Sequence, residues 1–157
     1  KSKKYMTNVY PAINQNSTQM AVRYTYGGKQ YYQIYNLANG RFINPRNPVK
    51  RICLSATSGD FQGFDLYGTS IYTIEGSPRK SFLLGYDRSR RYQPTKIRRY
   101  NYAARSKKTI TVRGAKTLSF REPEGIKVLA GGQIYMMYVS NTLTNQSCNI
   151  YRVKRKI

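Results

Sequence analysis

Gln62-Gly63-Phe64-Asp65-Leu66-Tyr67-Gly68-Thr69-Ser70-Ile71-Tyr72-Thr73-Ile74 is echoed further along by Glu124-Gly125-Ile126-Lys127-Val128-Leu129-Ala130-Gly131-Gly132-Gln133-Ile134-Tyr135-Met136-Met137. Each copy carries an anchoring glycine, a short apolar strand, a small-residue turn, and then a β-branched and aromatic strand. Gly63 and Gly125 hold the same place in the two copies. A repeat built from one sheet per unit points to a β-propeller or a related array.

Working outward, residues 20–26 alternate in part, with Val22, Tyr24 and Tyr26 on one face. Gly27-Gly28 turns this run into residues 30–37, which is a hairpin signature. Asn39-Gly40, Asn44-Pro45 and Asn47-Pro48 punctuate a loop. Residues 49–56, 81–86, 108–112 and 116–120 read as further strands, and 149–153 as a closing one. Residues 88–105 read as too polar for a core element. Tyr35, Tyr86 and Tyr151 each fall near the end of a unit.

Helical periodicity is absent over any useful length, whereas Tyr, Ile, Val and Thr suit pleated, half-buried surfaces. The fold expected is all-β, a partial β-propeller of about two and a half blades of antiparallel sheet. Its units divide as an irregular one over residues 1–48, a blade over 49–107 and a blade over 108–157. So short an array cannot close a ring, which leaves open edges for another chain or for further blades at the N-terminal side.

The 157 residues include 28 Lys and Arg against six acids, a net charge of +22. Solubility needs a net charge of only about 2–8, and the excess repels itself in the compact state. A polyanionic partner follows: nucleic acid, anionic lipid or anionic cell-wall polymer. The bland alternative is a solvated basic surface around a β protein with 16 Tyr. No apolar run approaches the ~18 residues of a membrane span, so no transmembrane segment is expected. The chain begins with Lys1 rather than Met, which leads us to expect a leader or a larger N-terminal part ahead of it.

The chain has no His, so nucleophilic catalysis lacks its usual base. Cys53 and Cys148 have no imidazole to activate them, and two cysteines without histidine make zinc improbable. The pair fits either one bridge in a secreted protein or two buried thiols. Gly27-Gly28 and Gly131-Gly132 lack the phosphate-loop pattern. Glu122 and Glu124 share a face in an extended chain, but paired catalytic acids come from separate elements facing across a cleft. A Glu before a glycine at a unit start reads instead as a hydrogen-bond partner of the neighbouring unit, and Asp60 and Asp65 read the same way. No enzyme, cofactor or metal is expected.

Binding chemistry is concentrated in Arg88, Arg90, Arg91, Tyr92, Arg98, Arg99, Tyr100, Tyr102, Arg105, Lys107 and Lys108, where cations interleave with aromatic rings. Guanidinium forks hold phosphate bidentately, and Tyr faces stack on sugars or bases. Consecutive residues of a strand face opposite ways, so part of this run decorates solvent. A basic loop whose Tyr rings merely cover a sheet is the competing reading.

Glu122-Pro123-Glu124-Gly125-Ile126, Gln133-Ile134-Tyr135-Met136 and Asn149-Ile150-Tyr151 resemble the C-terminal blade of helveticin-type bacteriocins. The wider group of teichoic-acid-biosynthesis-protein-C-like propellers, including phage receptor-binding proteins, shows the same pattern. Gln62-Gly63-Phe64 with Ile71-Tyr72 looks like the start of an inner blade in that group. The resemblance spans residues 60–153 and implies the C-terminal part of a propeller of about five blades. It also implies a secreted antibacterial or cell-surface-binding protein; joined to the cation-rich run, the reading is a bacteriocin portion that binds teichoic or lipoteichoic acid on the wall of target bacteria. Two rivals stand beside it: an intracellular RNA- or DNA-binding β module, which shows no recognisable RNP motif, and a non-toxic surface-layer-associated or phage receptor-binding propeller.

Overall fold

The computed structural model describes residues 5–54, 60–77, 94–115, 118, 121–141, 145–154 and 157. Among them the strands form three antiparallel sheets. The first holds β1 (Thr7–Ile13), β2 (Gln19–Tyr26), β3 (Lys29–Ala38), β4 (Arg41–Phe42) and β5 (Lys50–Leu54), the last two both pairing with β3. The second runs β6 (Phe61–Tyr67), β7 (Ser70–Glu75), β8 (Thr95–Asn101), β9 (Ser106–Val112), and the third β10 (Glu122–Leu129), β11 (Gln133–Asn141), β12 (Gln146–Arg152). The all-β expectation holds. Gly27 and Gly28 both have positive φ, at 56° and 76°, as a two-residue hairpin loop between Tyr26 and Lys29 requires.

The second sheet lies between the other two. Ala21, Tyr32, Ile34 and Ile52 of the first sheet pack on Phe64, Leu66 and Ile71 of the second. The opposite face of the second sheet, with Tyr72, Ile74 and Ile97, packs on Val128, Ile134, Met136 and Tyr138 of the third. Every residue of β7 is accordingly buried. Arg121, 3% exposed, ties the third sheet to the second by donating to the Tyr138 hydroxyl and to Thr95 Oγ1 at 3.2 Å.

The two repeat copies touch at equivalent places. A Cβ added at Gly63 would lie 3.4 Å from Gly125 Cα, in ordinary van der Waals contact, so the two backbones run close together here. Both strands carry a register shift at this point, between Phe61 and Gly63 and between Pro123 and Gly125. Two residues on, Asp65 is 2% exposed; its Oδ2 accepts from Val128 N at 2.7 Å and its Oδ1 lies 3.0 Å from Lys127 Nζ. Gln62 donates through Nε2 to Gly76 O at 2.8 Å and to Glu122 Oε1 at 3.2 Å. Since Gly63 meets Gly125 and Asp65 meets Lys127, β6 and β10 run alongside in the same sense.

Several local expectations change. Val22, Tyr24 and Tyr26 do share a face, on which Tyr24 is buried, while Ala21, Arg23 and Tyr32 are buried on the opposite one against the second sheet. Arg23 fits there because its guanidinium lies 3.7 Å from the Phe61 ring centroid. The stretch 94–101, read as too polar for the core, contributes the interior strand β8, with Thr95 and Ile97 buried. The expected strand at 81–86 lies outside the described residues. The sheets divide the chain after β5 and after β9, later than the repeat suggested, because those strands pair backwards onto β3 and β8. Cys53 and Cys148 are free and both exposed rather than buried.

Burial pushes the Tyr32 hydroxyl up to about 12, against the opposing pull of Arg23. The unfolded chain therefore releases this proton first as pH rises. The stability that Tyr32 contributes is full below about pH 10 and is lost between about pH 10 and 12. Urea midpoints are expected to drop from near pH 8 to near pH 11, and less so in Tyr32→Phe. Asp65→Ala strands the Val128 amide and is expected to cost about 1–3 kcal/mol in the same assay. A loss within error of zero contradicts the junction.

Candidate polyanion-binding surface

The hairpin of β8 and β9 carries all five of the described cations that the sequence singles out, Arg98, Arg99, Arg105, Lys107 and Lys108. Its turn is set by Asn101, whose Oδ1 accepts from Ala103 N at 3.0 Å and Ala104 N at 2.9 Å, an Asx-type cap. Arg105 closes the turn at a positive φ of 51° and is exposed. Strand register then sorts the side chains by face. Arg98 and Tyr100, with Lys107 opposite Tyr100, point towards the first sheet. Arg99, with Lys108 opposite it, takes the other face.

The arginines of β8 do two jobs. Arg98 places Nε 3.0 Å from Oε1 and 3.1 Å from Oε2 of Glu75, a carboxylate only 1% exposed. Thr73 Oγ1 donates to the same carboxylate at 3.4 Å. Arg99 donates from Nε to Ser70 Oγ at 3.1 Å and from a terminal nitrogen to Ile157 O at 3.3 Å. Its guanidinium also lies 6.0 Å from the Tyr72 ring centroid. Burial raises the Tyr72 hydroxyl and Arg99 pulls it back. Such anchoring explains how a strand so rich in charge sits inside a sheet: the stems pack and the heads find oxygen.

Lys107 and Lys108 are exposed, and no carboxylate pairs with either among the described residues. Lys107 Nζ lies 5.9 Å from the Tyr100 ring centroid. Tyr102 donates its hydroxyl to Gly68 O at 3.3 Å and packs under the first core cluster, where burial raises it. Tyr100 and Tyr102 thus cover sheet as well as flanking cations. Arg88, Arg90, Arg91 and Tyr92 lie outside the described residues.

Sequence reasoning missed the partners that shape this surface. Glu75 ends an apolar alternating strand, the one signal available for a buried carboxylate. Gln30, Tyr32 and Leu54 arrive from the first sheet to form a cleft with β7, β8 and β9. No acid stands on that sheet, because Asp60 is the first acidic residue of the chain. Asp65, Glu122 and Glu124 stand instead at the junction of the repeats. There Glu122 accepts from Gln62, while Glu124 is exposed and is raised by desolvation and by Glu122. No group of three or more His, Cys, Asp or Glu able to hold a metal occurs among the described residues. No helix of those residues is long and apolar enough to cross a membrane.

Compared with known proteins, the chain matches no protein-family model and no curated protein.

Arg98→Ala removes a charged donor from a buried carboxylate and is expected to cost about 1–3 kcal/mol in urea unfolding. Lys107→Ala and Lys108→Ala are expected to stay within about 0.5 kcal/mol. Equal costs at all three positions would contradict the division into anchored and free cations.

Proposed function

We propose that this protein is a portion of a secreted, helveticin-like bacteriocin that binds anionic polymer on the wall of target bacteria, a reading that joins its resemblance to that family with its excess of cations. In this reading teichoic or lipoteichoic acid is the ligand, and the chain acts outside the cell as a binding protein rather than an enzyme. The observation that carries it is the β8–β9 hairpin. Arg105, Lys107 and Lys108 stand exposed there, in a chain of net charge +22 whose first acid is Asp60.

The wall polymer presents a phosphodiester in every repeat. Exposed Lys and Arg neutralise it and release its counterions, so attachment weakens steeply with salt. Tyr100 beside Lys107 adds a ring against which a sugar can lie. The sheets fit the same reading as consecutive wedges of a propeller-type array. Same-sense first strands touching at equivalent residues, Gly63 with Gly125, are what rotation about a common axis gives. On that view the outward faces of the first and third sheets meet neighbouring wedges or another chain.

Adhesion to purified bacterial walls tests the function. Walls with teichoic acid are expected to retain the protein and walls stripped of it to lose it; equal retention overturns the proposal. Arg105→Ala, Lys107→Ala and Lys108→Ala together remove about 1 kcal/mol each near an anionic surface. Their combined loss is expected on the order of 100-fold in affinity. Tighter binding to single-stranded RNA than to teichoic acid would transfer the site to the nucleic-acid reading.

A further inference from the structure

The first and second sheets pack through Tyr32 and Ile71 but part above them. A cleft of about 120 Å³ lies between β3 and β5 on one side and β7, β8 and β9 on the other. Register sets its second-sheet wall as a grid. Ile71, Tyr100 and Lys107 form one row, and Thr73, Arg98 and Thr109 the next. Gln30, Tyr32 and Leu54 face them from the first sheet.

We infer that this cleft is a subsite for one sugar ring bearing an anionic substituent, a glycosyl-phosphate unit of the polymer. The inference rests on the polyanion reading above and narrows it from charge to a unit of defined shape.

Size argues for a single ring. The volume is on the scale of the ~150 Å³ cavity that admits one benzene, and well below the 300–1,000 Å³ or so of pockets for larger ligands. Lining chemistry argues for a sugar. Leu54 and Tyr100, both half-buried, give apolar walls for a C–H face above the buried Tyr32 and Ile71. Thr109 and Gln30 offer hydroxyl and amide partners that a hydrocarbon ring would leave unanswered. A bare phosphate would leave the apolar walls without contact.

Charge argues for the anionic substituent. Arg98 commits Nε to Glu75, while its two terminal nitrogens have no hydrogen-bond partner among the described residues. A guanidinium held in this way has its fork set for two oxygens of one phosphate before ligand arrives. Lys107, exposed beside Tyr100, supplies a second cation, and the facing sheet has no acid to oppose the ligand.

The test titrates the whole chain with glucose 1-phosphate, inorganic phosphate and adenosine monophosphate, read by amide chemical shifts, beside retention on immobilised polyphosphate. Glucose 1-phosphate is expected to bind at least about tenfold more tightly than inorganic phosphate and to shift amides of β3 and β8. Thr109→Trp, which narrows the cleft from an exposed edge strand, is expected to abolish that preference, and Thr109→Ser to keep it. If polyphosphate is retained but the two phosphates bind alike, the subsite is overturned while the polyanion reading stands. Adenosine monophosphate binding more tightly than glucose 1-phosphate overturns the glycan assignment. Failure to retain polyphosphate removes both.

Discussion

Asp65 sits at 2% exposure between two sheets, with one oxygen on the Val128 amide and the other 3.0 Å from Lys127 Nζ. In a chain of net charge +22, a buried carboxylate is a scarce component, and this one spans the repeat. It satisfies an edge amide that no strand partner reaches, and it draws a lysine across the junction. That lysine also reaches Ile13 O at 3.5 Å, so all three sheets meet near one residue. Gly63 and Gly125 run close together two residues before Asp65 and Lys127.

From that junction the remaining arrangement follows. With the third sheet held on one side of β7 and the first on the other, β7 is buried throughout, and β8 must continue it. The strand carries Lys96, Arg98 and Arg99, and it stays in the sheet because its arginines have anchored oxygens to meet. Glu75 and Asp65 therefore play matching parts on opposite faces of the second sheet, each fixing a cation at a sheet boundary. The hairpin beyond Asn101, free of such anchors, is left to present Arg105, Lys107 and Lys108 to solvent.

The sequence made the strands legible where alternation and turn chemistry agree. Gly27-Gly28, Gly68-Thr69 and Gly131-Gly132 all mark real turns between paired strands, and the second copy forms the hairpin of β10 and β11. Polarity concealed β8, because a strand's content of Arg says nothing about the oxygens waiting for it. Residues 20–26 showed a face but not which way it pointed; a stacked Tyr24–Tyr31 pair makes the outer face aromatic too. Sheet membership of β5 and β9 was hidden because pairing to β3 and β8 is set by tertiary contacts. Of the candidate site, the cations were visible and their partners were not. Gln30, Leu54 and Glu75 carry no local signal that they surround Arg98.

Hydrogen exchange at the Val128 amide probes the junction where it is made. If the buried carboxylate holds the sheets as one cooperative body, this amide exchanges only through global unfolding, with the protection of the interior amides of β7. Exchange faster than in β7 by several orders of magnitude would mean that the third sheet opens on its own, and would contradict the account.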